Sequence, residues 1–175
     1  SLVTSCGLLA AVAALVPLVI AGDRPSISLF EFAPGLEFAF EVEPLGMLFA
    51  LLASFLWIVT TIYSIGYLAA NGEPHRTRFH ICFSLALASA IGIAFAGNML
   101  TLFVFYEVLT ISTFPLVTHA GSDEAKRAGR VYLGILIGTS IVLQLTAIIW
   151  TWSITNTLDF MVGGILENRA SAGLT

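Results

Sequence analysis

Few side chains in this sequence can move a proton, and one of them stands in an apolar run. Glu107 lies inside LFVFYEVLTI, residues 102–111. On a helix its neighbours three, four and seven positions away are Phe103, Val104, Thr110, Ile111 and Phe114, so Thr110 is the only polar one. Thr113 and Thr118 add hydroxyls further on, and Pro115 leaves the Ile111 carbonyl without its helical donor. Such an acid either makes an interhelical hydrogen bond, worth about 1 kcal/mol, or carries protons. Ionisable groups inside a membrane are expensive, and the functional reading is the default one. The other candidates are His80 and His119, which titrate near neutral pH, together with Gln144 and Lys126. Each also has a plainer reading: the histidines as interfacial residues, Gln144 as a helix–helix hydrogen bonder, and Lys126 as a topology signal. Lys126 is the sole lysine and lies nineteen residues after Glu107, too far along the chain to pair with it directly.

The elements that hold these residues follow from composition. The chain of 175 residues is 58% hydrophobic and 10% charged, with a mean hydropathy of +0.96. Soluble domains are about 45–50% apolar and about 25% charged, so this is an all-α polytopic membrane protein whose solvent is the lipid bilayer. The net charge of −4 argues against nucleic acid as a partner. Cys6 and Cys82 have the spacing of neither a zinc site nor a redox pair and read as small hydrophobes. No phosphate-cradling glycine loop, metal cluster or nucleophile–base set is present, so no cofactor or metal is expected.

A spanning helix needs about 20 apolar residues. Five stretches qualify, at about 2–21, 45–70, 79–97, 99–118 and 131–154, the last with its first turns open to the loop from Glu124, within one membrane unit covering 1–175. Pro17 predicts a kink late in the first, and Pro44 suits the first turn of the second. Between them, FEFAPGLEFAFEVEP alternates apolar and acidic residues, a period of two that predicts a β-hairpin at the membrane surface. Trp57, Trp150 and Trp152 read as interface anchors or lipid-facing aromatics. Residues 155–175 contain FMVGGIL, too short to span, and read as a surface segment. Arg76, Arg78, Lys126, Arg127 and Arg130 fall in the loops after spans two and four, against Arg24 and Arg169 on the opposite side. That bias makes the 71–78 and 119–130 loops cytoplasmic, and the acidic 22–44 loop and the 155–175 segment external. Glu107 lies nine residues past the GN turn at 97–98, or ~13 Å along a helix. In a hydrocarbon layer ~30 Å thick, that depth is near the middle.

Three segments carry a family resemblance: NMLTLFVFYEVLTISTFPLV (98–117), EAKRAGRVYLGILIGTSI (124–141) and WSITNTLDF (152–160). They resemble the antiporter-like membrane subunits, which comprise the D subunits of Mrp-type Na+/H+ antiporters and the proton-pumping membrane subunits of respiratory complex I and membrane-bound hydrogenases. The D-type likeness rests on LFVFYE and SITNTLDF. The resemblance implies the inverted-repeat antiporter-like fold, with Glu107 as the central proton carrier and a lysine partner about 80 residues further on, past Thr175. It also implies a missing first helix, in keeping with a chain that opens at Ser1 without methionine. It implies an ion-transporter subunit rather than an enzyme, in a prokaryotic inner (plasma) membrane, with H+ and Na+ as its ions and other membrane subunits as partners. Two alternatives stand beside monovalent cation/H+ antiport: a proton-pumping subunit of a complex I-like or hydrogenase complex, and a non-conducting scaffold.

Overall fold

The computed structural model describes residues 2–34, 36–72, 75–119 and 121–166. The chain runs α1 (Leu2–Ile20), β1 (Ser26–Ala33), β2 (Leu36–Glu41), α2 (Pro44–Ala70), α3 (Arg76–Ala94) and α4 (Met99–Val117). It continues into α5 (Asp123–Thr139), a π-helical turn (Ser140–Leu145) and α6 (Thr146–Thr155). The last three form one continuous helix, Asp123–Thr155, giving five helices long and apolar enough to cross a membrane. The fold is thus that of a polytopic helical membrane protein with one small sheet.

Two of these helices start before the apolar stretches do. The fifth begins at Asp123 because the Ser122 side chain accepts the Ala125 amide at 3.1 Å and because Asp123 and Glu124 occupy the first turn. The third begins at Arg76, so its charged first turn is helical too. Hydropathy cannot register a charged helical turn. Pro44 opens α2 and Pro17 is accommodated inside α1.

The interior has the pattern of a membrane protein. Large apolar side chains such as Leu45, Phe55, Tyr63, Val142 and Trp150 point outward, while Ser54, Thr61, Ser89, Thr101, Thr110, Ser112 and Ser140 are buried. Lipid gives helices no hydrophobic reason to associate, so small residues at their interfaces supply close packing instead. Several of the buried hydroxyls donate to their own helix, as Ser89 does to Leu85 (2.8 Å) and Ser112 to Leu109 (2.8 Å). Glycines set the helix separations. A Cβ on Gly46 would lie 2.2 Å from the Ala94 carbonyl oxygen, and one on Gly92 would lie 2.5 Å from the Phe105 ring. Gly46→Ala should therefore cost about 1–3 kcal/mol through overpacking. Gly134→Ala, with nothing within 4 Å, should cost nothing. Thermal unfolding of the two purified variants compares them.

The expected hairpin is present: β1 pairs antiparallel with β2 from Ser26–Glu41 to Ala33–Leu36, with irregularities after Ser28 and Glu31. It is seated on the start of α4. Phe38 and Phe40 pack on Phe105, with ring centroids 5.8 and 5.5 Å away. The Glu41 amide donates to the Phe95 carbonyl (2.8 Å) and the Gly97 amide to the Ala39 carbonyl (3.0 Å). Trp152 is not simply a lipid-facing aromatic: its Nε1 donates to the Pro34 carbonyl at the hairpin tip, 3.3 Å away. Residues 156–166, which hold FMVGGIL, are irregular, whereas 167–175 fall outside the described residues.

Candidate functional site

Helix α4 starts at a well-built terminus. The Asn98 side chain is fully buried. Its Oδ1 accepts the Thr101 amide at 2.8 Å, capping the helix, while its Nδ2 donates to the Glu37 carbonyl at 2.8 Å. Thr101 Oγ1 in turn accepts the Ala39 amide at 3.0 Å. From the other side, the Leu158 carbonyl accepts the Met99 amide (3.0 Å) and the Phe160 amide donates to the Gly97 carbonyl (3.2 Å). The turn at 95–101 is therefore held between the hairpin and residues 158–160, and Glu107 is placed relative to that clamp.

Glu107 is partly buried, and its Oε1 has no hydrogen-bond partner among the described residues. Thr110, one turn on, is buried, and its carbonyl accepts the Thr113 hydroxyl at 2.7 Å. Neither Thr110 nor Gln144 bonds to the carboxyl. Gln144 lines a hollow of about 350 Å³ with Tyr106, Thr139 and Ser140. This hollow lies where α4 meets the π-helical turn, and π turns are frequent at functional sites. Neither Tyr106 nor the π turn was foreseen from the sequence, because no residue type signals a π turn.

The remaining candidates gather at the other end of α4. Phe79 stands between the two histidines, 5.7 Å from the His80 ring and 5.5 Å from the His119 ring, edge-on to both. Both ring nitrogens of His119 are buried. Lys126 sits 3.6 Å from Asp123 in a mostly exposed pair. Glu107 to His119 spans twelve residues, ~18 Å of helix. Among the candidates the structure thus brings His80 and His119 together around Phe79 and places Gln144 in the hollow with Tyr106, while Lys126 pairs with Asp123.

Glu107 is thus a partly buried acid in the middle of an apolar helix, in a bundle with small polar residues inside. Two family profiles match the chain. One, described as NADH-ubiquinone oxidoreductase (complex I), chain 5 N-terminus, matches residues 33–80. The other, described as NADH:quinone oxidoreductase/Mrp antiporter, TM, matches residues 96–168 and so contains Glu107. The chain belongs to the family of antiporter-like membrane subunits. It is 31% identical over 95 residues to Na(+)/H(+) antiporter subunit A1 of Staphylococcus aureus, covering 54% of this chain and 12% of the relative. It is 25% identical over 169 residues to an NAD(P)H-quinone oxidoreductase subunit 5 of Paulinella chromatophora, covering 92% of this chain and 25% of the relative. The chain therefore spans a quarter or less of the length of these relatives. Its fold is similar to that in the structure of the Mrp complex from Dietzia sp., with a TM-score of 0.71 and 23% identity over 90% of this chain and 29% of that one. The antiporter relative is an A subunit, not the D type suggested by the LFVFYE wording.

Proposed function

We propose that the chain is part of a proton-translocating, antiporter-like subunit of a multisubunit membrane complex that exchanges a monovalent cation, Na+, for H+. The observation that carries this reading is the Glu107 carboxyl, embedded mid-helix with Oε1 buried and unpartnered. A group in that state has no structural bond to lose when it ionises, which suits a proton carrier better than a packing residue. A cation brought close to a carboxyl favours its charged form, so a movable positive charge would control proton release. Thr110, the Gln144 hollow, His80, His119 and Lys126 are the groups from which we build the path between Glu107 and the basic end of the bundle. The five basic residues in the loops at that end support a cytoplasmic orientation for it, and we read the membrane as a prokaryotic plasma membrane.

A second reading is favoured by the subunit 5 relative, which matches 92% of this chain. In it the same acid serves a redox-driven pump whose electron chemistry lies elsewhere. Ion exchange by the complete complex in proteoliposomes, with and without Glu107→Gln, tests the role common to both. Full transport by the Gln variant would make the subunit a scaffold.

A further inference from the structure

Three cations converge on one hollow at the basic end of the bundle. Arg78 from α3, and Lys126 and Arg130 from α5, line a cavity of about 360 Å³ together with Phe114, Thr118 and Gly121. A topology signal needs basic residues only on one side of the membrane; it does not require two helices to bring three of them to one volume. The walls are fixed. A Cβ on Gly129 would lie 2.4 Å from the Thr118 methyl, so α4 and α5 meet closely at this end. The positive charge is largely uncompensated. Arg78 and Arg130 have no acidic partner among the described residues, and Lys126 has only its exposed contact with Asp123 at 3.6 Å.

The depth is that of lipid headgroups. Arg78 lies in the first turn of α3, and Arg130 lies seven residues into α5, ~10 Å along its axis. The headgroup layer occupies roughly 5–7 Å on each side of the hydrocarbon, and arginine stems reach outward to it. Phe114 lines the hollow, and Val117 beside it on α4 is exposed, an apolar flank where acyl chains would lie. The volume would hold about a dozen water-sized groups, enough for a phosphate and a glycerol.

We infer that this hollow binds the phosphate of an anionic phospholipid headgroup, phosphatidylglycerol in type, at the basic face of the bundle. The three cations accept a phosphodiester and repel the choline of a zwitterionic lipid. Each cation near an anionic headgroup contributes about fivefold to binding through its charge. The hollow shares Lys126 with the proposed proton path, whereas Arg78 and Arg130 lie outside that path, so their variants test lipid binding separately from transport.

The test uses the complete protein in its complex, equilibrated in bilayer discs of phosphatidylglycerol and phosphatidylcholine. Lipids retained after detergent washing are counted by mass spectrometry. The wild type should keep phosphatidylglycerol in preference to phosphatidylcholine. Arg78→Gln and Arg130→Gln should each lower that preference about fivefold, while Arg24→Gln, at the opposite end, should leave it unchanged. Should the neutral variants fail to assemble, Arg78→Lys and Lys126→Arg keep the charge and must retain the lipid. Equal retention in wild type and neutral variants, or loss of the lipid in the charge-keeping ones, overturns the site. Displacement of the lipid by millimolar inorganic phosphate would overturn the lipid assignment in favour of a soluble phosphate.

Discussion

Glu107→Gln should abolish proton-coupled ion exchange, by about 100-fold or more, in a complex that still assembles. Glutamine has nearly the volume of a protonated glutamic acid and similar hydrogen-bonding reach, so packing around α4 should survive. What it lacks is a second charge state. Stability should hold or rise slightly, because an acid in mid-membrane carries a cost of about 3 kcal/mol whenever it ionises and the amide never does. Glu107→Ala should also stop transport and should lower stability, since it removes the buried part of the side chain without replacing it. Glu107→Asp should transport slowly, the carboxyl being present but drawn back by one methylene. A packing role for Glu107 predicts another order, with Gln fully active and Ala and Asp impaired. The variants are compared by the rate of cation-driven proton movement in proteoliposomes and by the yield of intact complex.

Asn98→Ala should be the most damaging of the conservative truncations. Asn98 is fully buried and makes two hydrogen bonds that no water can replace: Oδ1 to the Thr101 amide and Nδ2 to the Glu37 carbonyl, both 2.8 Å. Losing the cap costs about 1 kcal/mol, and leaving the part-buried Glu37 carbonyl without its donor costs about 1–3 kcal/mol more. The expected loss is about 2–4 kcal/mol in thermal unfolding. Asn98→Asp keeps the acceptor for Thr101 but not the donor to Glu37, so it should fall between Ala and wild type. Amide exchange should rise together at 36–41, 95–101 and 158–160, because all three segments meet at this residue. Exchange rising at 98–101 alone would mean that the clamp is not cooperative.

The sequence exposes the parts of this fold that the bilayer itself dictates. Five runs of about 20 apolar residues must be helices, because lipid offers no partner for an open backbone. The hairpin showed through the acidic alternation of FEFAPGLEFAFEVEP. Glu107 was visible for the same reason, as a charge where lipid tolerates few. What stayed hidden depends on contacts between distant segments. Asn98 was legible as half of a GN turn, but its bond to Glu37 joins residues 61 apart in sequence. Likewise, the Met99–Leu158 bond and the Trp152–Pro34 bond link segments with no local signature of pairing. His80 and His119 looked like separate interfacial residues until the fold put Phe79 between them. The π-helical turn at Ser140–Leu145 sits in SIVLQL, which reads equally well as ordinary helix.

A proton carrier must change protonation state, and infrared difference spectroscopy of the complete complex during a pH step observes this at Glu107 most directly. The wild type should show the carbonyl stretch of a protonated carboxylic acid that disappears as pH rises, with a carboxylate band growing in its place, and Glu107→Gln should remove both. A spectrum in which the Gln variant keeps the same pair of bands, or in which the wild type shows no titrating carboxyl, would contradict a carrier role for Glu107.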